Sequence, residues 1–202
     1  MTTTAHVDTF ARDHLPPRAQ WPEFRFDRPE LRFPERLNCA TALLDRHVAE
    51  GRGDRPCLVG ERETWTYRDL QRAANRVAHV LVTRMGLVPG NRVLLRAPNT
   101  PMLVACWFGV VKAGGIAVAT MPLLRATELR KVIARARVTH ALCDAALAGA
   151  LDEALADAPQ PVTVLHFTAA RDGTLDAAMH DAADAFTNVD TAADDTVLIA
   201  FT

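Results

Sequence analysis

The sequence predicts an α/β fold: a doubly wound, mostly parallel sheet with helices on both faces. Three observations lead there. Short apolar runs at Arg92–Leu95, Ile116–Ala119, Val138–Cys143, Val162–Phe167 and Thr196–Phe201 lack the polar alternation of a half-exposed strand. Segments with helical spacing separate them, and the alternation of strand and helix is the signature of a parallel sheet. Turn and capping residues fall at the junctions.

The first 37 residues show neither period. They are rich in Pro, Arg and aromatics, as in "LPPRAQWPEFRFDRPELRFPERL". Residues 1–37 are therefore expected to be an extended arm, with Trp21, Phe24, Phe26 and Phe33 covered by the apolar surface of a larger body. Residues 38–202 are expected to form the α/β subdomain. Asn38 is a capping-type residue, and apolar positions including Ala42, Leu43 and Val48 follow at helical spacing until Gly51.

"RPCLVGERETWTY" predicts a hairpin, with strands through Cys57–Val59 and Trp65 and a tight turn near Gly60 to Glu63. Thr66 and Asp69 form a capping-box pattern that opens a helix through Leu70, Ala74, Val77 and Leu81, closed by Gly86. Pro89-Gly90 makes a turn into the strand at Arg92. Thr100 then caps a helix with Pro101 in its first turn, and Gly109, Gly114 and Gly115 read as helix termination. Further helices are expected at Thr127–Arg137 and Ala145–Ala156, with a polar one near Leu175–Ala185. Thr196–Phe201 reads as a buried strand.

Composition excludes several function classes. The chain has 202 residues, 49% of them hydrophobic, and 23 basic against 24 acidic side chains give a formal charge of -1. No basic field is available to attract nucleic acid or anionic lipid. The longest apolar run, Met102–Val111, is far short of the roughly 20 residues that cross a bilayer, so no membrane partner is expected. The N-terminus lacks the charged and apolar regions of a secretory signal. Cys39, Cys57, Cys106 and Cys143 are widely spaced and read as reduced thiols, which favours the cytoplasm.

The chemistry that can be sought is sparse. Neither G-x-G-x-x-G nor G-x-x-x-x-G-K-[ST] occurs, and the chain has no serine. Seven histidines show no metal-like spacing, and Asp144, Asp152, Glu153 and Asp157 read as a solvated helix face. Neither a catalytic residue nor a metal ligand is expected. The loop "MPLLRATELRKV" is the one candidate site: Arg125, Arg130 and Lys131 lie close together where a helix opens after a strand. Two readings stay open there, an anion site or a solvated basic helix start over inward-packed Leu123 and Leu124.

Four segments in this order, "TWTYRDLQRAANRVAHVL", "GLVPGNRVLLRAPNTP", "WFGVVKAGGIAVATMPLLRATEL" and "THALCD", resemble the N-terminal part of the adenylate-forming acyl- and aryl-CoA ligases. The resemblance runs from about Asn38 to Thr202. "ATMPLLRATEL" and the aromatic arm are most similar to benzoate-type ligases, especially those for 2-aminobenzoate (anthranilate). Asn99 and Pro101 match a strand-to-helix turn of the family, and Met102 departs from its usual Glu.

The resemblance implies a fold and a reaction. A carboxylic acid, aromatic or other, reacts with ATP and Mg2+ to give an acyl-adenylate and pyrophosphate, and the thiol of coenzyme A then displaces AMP. It implies a coenzyme A contact at Arg125. It also implies that a phosphate loop would begin where "DDTVLIAFT" stops, so the isolated chain is expected to be inactive and to hold none of these cofactors tightly. The alternative is a self-contained binding or regulatory module of the same fold. Exposed apolar surface on a truncated sheet would favour a homo-oligomer.

Overall fold

A computed structural model describes residues 3–60, 63–168 and 174–201. Its centre is a four-stranded parallel sheet of β3 (Arg92–Arg96), β4 (Ile116–Thr120), β5 (His140–Asp144) and β6 (Thr163–Phe167), in the order β4-β3-β5-β6. β1 (Pro56–Val59) and β2 (Thr64–Thr66) form a separate antiparallel hairpin. Its expected turn includes residues 61 and 62, which lie outside the described residues.

Period-2 alternation sends neighbouring strand residues to opposite faces. Val93, Leu95, Ala117 and Leu142 pack against α2 (Tyr67–Thr83), α3 (Pro101–Lys112) and α6 (Leu175–His180). Leu94, Val118, Ala141 and Cys143 pack on the other face, against α4 (Ala126–Ala136) and α5 (Ala148–Leu155). Both faces are covered, so the central strands are apolar throughout, and this is why they lack alternation in the sequence. A fully buried leucine such as Leu94 contributes about 2–3 kcal/mol of burial free energy.

Local signals set the helix ends. The Thr66 side chain accepts from the Asp69 N–H at 3.1 Å, and Asp69 in turn accepts from the Thr66 N–H at 3.0 Å. Thr100 accepts from Leu103 N–H at 3.3 Å, so Asn99-Thr100-Pro101 is indeed a strand-to-helix turn. Gly109 has a different role from the helix termination expected of it. A Cβ there would lie 2.5 Å from Val77 Cγ1, so the glycine allows α2 and α3 to touch.

The helix from residue 39 begins where Asn38 Oδ1 accepts from Ala40 N–H at 2.9 Å and is π-bulged at Thr41–Asp45, and it breaks at Gly51, whose φ of +78° is not helical. The bulge places Asp45 against the buried Lys112, whose Nζ donates to its two oxygens at 2.6 and 2.7 Å. Gln71 and Asn188 donate to the same carboxylate at 2.8 and 2.7 Å.

Three expectations fail. Thr196–Phe201 is not a buried strand: it makes a single parallel bridge, Leu198 to Ala117, and Leu198 and Phe201 are exposed. It lies on the outer edge of β4, where Ile199 alone of these side chains packs on the α4–α5 face, so only one flank of the run is covered. The arm aromatics are not covered by the body either. Trp21, Phe24, Phe26 and Phe33 contact one another in succession at centroid distances of 6.1–6.2 Å, and the three phenylalanines are exposed. The helix near residue 175 is also shorter than expected, ending at His180.

Candidate functional site

The strand order locates the site. The chain leaves β3 for β4 through α3 on one face, then crosses back to β5 through α4 on the other. The connections that follow β3 and β5 therefore run to opposite faces, and a crevice opens at the carboxyl ends of these two strands.

Arg96, the last residue of β3, fills that crevice. Its guanidinium donates to the carbonyls of Met121 at 3.1 Å, Pro122 at 3.0 Å and Leu124 at 2.9 Å in the loop after β4. Nε donates to Leu147 O at 3.3 Å, just after β5. The residue is 2% exposed. A cation this buried is tolerated because its donors meet carbonyl oxygens, and the fork geometry of arginine lets one side chain span two loops. Nothing in the pattern "RVLLRAPN" signalled this, because an arginine after an apolar run reads as a solvated strand end.

The loop that carries the sequence-predicted site residue is thus fixed from below and open above. Arg125 is exposed at the start of α4, and its backbone N–H donates to Glu128 Oε2 at 2.9 Å. Met121 and Leu123 beside it are 62% and 82% exposed, so of the two leucines that the solvated-start reading packs inward, Leu124 does so and Leu123 does not. Arg130 does not join Arg125. It turns to α5 and pairs with Glu153 at 3.3 Å and Asp157 at 3.2 Å. Those acids answer a cation rather than forming a purely solvated face, and Asp144 accepts from Ala146 N–H at 2.9 Å to cap the turn after β5.

Other reactive groups are committed to structure. Burial raises the Cys106 thiol and pushes Cys143 up to about 12, so neither supplies a thiolate. His140 donates from Nε2 to Met85 O at 3.0 Å, and burial lowers its pKa. Among the described residues no three His, Cys, Asp or Glu side chains are grouped to hold a metal ion, and no helix is long and apolar enough to cross a membrane. A cavity of about 620 Å3 lies between the end of α2, β6 and α6, lined in part by Arg84, Thr163, Asp176 and His180. It sits toward the amino end of β6, away from the crevice.

Comparison with known proteins gives these features a setting. The AMP-binding enzyme family model matches residues 45–202. A 3-hydroxybenzoate–CoA ligase of Aromatoleum sp. (strain CIB) is 31% identical over 129 residues, covering 62% of this chain and 24% of that protein. A benzoate–CoA ligase of Thauera aromatica is 30% identical over 100 residues, covering 50% and 19%. The chain thus spans about a quarter or less of these relatives' length.

In three dimensions, the anthranilate CoA ligase AuaEII, solved with anthranoyl-AMP, superposes with a TM-score of 0.76 over 84% of this chain and 32% of that one. At 19% identity this likeness concerns the fold. Together with the parallel sheet and its two helical layers, the match over residues 45–202 establishes that the chain belongs to the AMP-binding enzyme family.

Proposed function

We propose that the chain is the N-terminal framework of an aryl-CoA ligase, which joins an aromatic carboxylic acid to coenzyme A with ATP converted to AMP and pyrophosphate. The observation that carries this reading is the family match over residues 45–202, with benzoate- and hydroxybenzoate-CoA ligases among the relatives. Residues 1–37 form its arm and residues 38–202 its α/β subdomain. The reading places it in the cytoplasm, in keeping with four cysteines that form no disulfide.

The residues present do not fit a triphosphate or its Mg2+. Arg96 gives four of its five N–H groups to carbonyls, Arg130 is paired with acids, and among the described residues no three His, Cys, Asp or Glu side chains are grouped to hold a cation. The isolated chain is therefore inactive in this reading. Arg125 is the one basic side chain at the carboxyl end left facing solvent in that loop, and we assign it a contact with an anionic group of coenzyme A.

Two experiments test the proposal. The chain incubated with ATP, Mg2+, coenzyme A and benzoate, 3-hydroxybenzoate or 2-aminobenzoate should release no AMP, and acid-dependent AMP release would refute its inactivity. Residues 45–202 grafted in place of the matching segment of the Thauera aromatica benzoate–CoA ligase should give a hybrid that releases AMP with benzoate. A folded but inert hybrid would count against the framework role. In an active hybrid, Arg125→Ala should raise the KM for coenzyme A several-fold and leave that for ATP unchanged.

A further inference from the structure

The amino-terminal residues and the run 189–199 are held together more extensively than a loose arm requires. As the arm rejoins the body, Leu37 N–H donates to Thr191 O at 2.9 Å, Thr191 Oγ1 donates to Leu37 O at 2.8 Å, and Ala193 N–H donates to Glu35 O at 2.9 Å. At the other end of the arm the Asp195 carboxylate is the node. It accepts from the Thr4 hydroxyl, from Ala5 N–H at 3.0 Å and from Ala192 N–H at 2.9 Å.

The residues that follow Thr4 and Ala5 in the chain are anchored to the sheet. Val7 and Asp8 N–H both donate to Pro89 O at 3.0 Å, and the Asp8 carboxylate accepts from Arg92 Nη1 at 2.5 Å and Asn91 Nδ2 at 3.0 Å. Arg92 and Arg137 both stand over the Phe10 ring, 5.0 and 5.2 Å from its centroid. Gly90, at φ +89°, makes the seat: a Cβ there would lie 2.1 Å from the Asp8 carbonyl oxygen.

Two residues beyond Asp195 the chain meets the edge of β4. Ala117 N–H donates to Val197 O at 3.0 Å and Ile199 N–H donates to Ala117 O at 2.9 Å. One bridge with two hydrogen bonds does not by itself hold a register. A slip of one residue would move Ile199 off the α4–α5 cluster and turn Leu198 toward it.

We propose that Asp195 is a positioning residue: by gripping Thr4 and Ala5, it lets the amino-terminal segment, seated on the amino end of β3, fix the register in which Val197–Ile199 pairs with β4. The arm is then a splint between the amino end of β3 and the run beside β4. It sets the point at which the chain leaves β4 toward the carboxyl-end crevice. This goes beyond the ligase reading and does not depend on it.

Hydrogen exchange at single amides of the whole chain, followed by NMR, tests the splint. In Asp195→Ala the amides of Ala117 and Ile199 should exchange at least about tenfold faster, while those of β3 and β5 keep their rates. Thr4→Val, which removes one donor and little volume, should accelerate the same two amides less. Unchanged exchange at both would overturn the proposal. So would an equal rise across β3 and β5, which is what a merely stabilising carboxylate would produce. If Asp195→Ala does not fold, Thr4→Val decides by the same criteria. AMP release plays no part in this readout, so its failure and the failure of the ligase reading are told apart.

Discussion

Arg96 donates to the carbonyl of Leu124 at 2.9 Å, so the last side chain of the central strand holds the loop that opens α4. Arg96→Met keeps the stem but strands the carbonyls of Met121, Pro122, Leu124 and Leu147 that it now serves. A hydrogen bond to a charged group contributes about 1.5–3 kcal/mol, and the set is not additive. A loss of at least about 3 kcal/mol is expected. Arg96→Lys should recover only part of it, because an ammonium has three donors and no fork. Urea unfolding checks this, and a lysine variant as stable as the parent would remove the role given to the fork.

The contact between Gly109 and Val77 makes a paired prediction. Gly109→Ala would set its methyl 2.5 Å from Val77 Cγ1 and should cost about 1–3 kcal/mol through overpacking, although alanine favours a helix. Val77→Ala alone leaves a cavity and is also destabilising. The double variant should be more stable than the two losses summed. Thermal unfolding of the four proteins gives the coupling, and simple additivity would mean that the helices do not meet there.

What could be read from the sequence follows from how local each cause is. The strands at Arg92 and Ile116 and the cap at Thr66 are written within a few residues, and the structure has them. The π-bulge at Thr41–Asp45 was not legible, because its benefit is a carboxylate brought to Lys112, 67 positions away. Gly109 misled for the same reason: its partner Val77 is on another helix. Thr196–Phe201 has the composition of a buried strand, but burial depends on what flanks it, and among the described residues β4 is the one strand it pairs with. At the site, "MPLLRATEL" announced an exposed basic residue at a helix start. The pairing of Arg130 with Glu153 and Asp157 needed the third dimension.

The Lys112–Asp45 pair predicts an asymmetry between its two members. Lys112 is 1% exposed and burial lowers its pKa, so it stays charged through the Asp45 carboxylate. Asp45→Ala leaves that ammonium with Asn188 Oδ1, at 3.3 Å, as its remaining side-chain acceptor, and should cost about 3–5 kcal/mol. Lys112→Met removes the charge and fills much of the volume. It should cost clearly less, because Asp45 keeps Gln71 and Asn188 as donors and part of its surface in water. Denaturant midpoints of the two variants check the order, and equal losses would contradict it.

Stability should fall in two steps as the solution is acidified. His6 and His140 are buried, and desolvation is the main cause that holds both pKa values below the ordinary 6.5. They are neutral in the fold at a pH where the unfolded chain would already protonate them. Their contribution is complete above pH 6.5 and declines as the pH drops below it, by at most about 1.4 kcal/mol per pH unit for each. For Asp8 and Asp195 burial works against the charge, but the bonds from Arg92 and Phe10 N–H to Asp8, and from Thr4 and the Ala5 and Ala192 N–H groups to Asp195, outweigh it. Both pKa values therefore lie below the ordinary 3.8. Their contribution persists until the pH falls below 3.8 and is then lost through the lowered values. Urea midpoints between pH 8 and pH 2.5 should show a first decline beginning near 6.5 and a second below 4. His140→Gln should shallow the first decline and leave the second in place. A profile flat from pH 8 to pH 4 would show that neither histidine is held neutral by the fold.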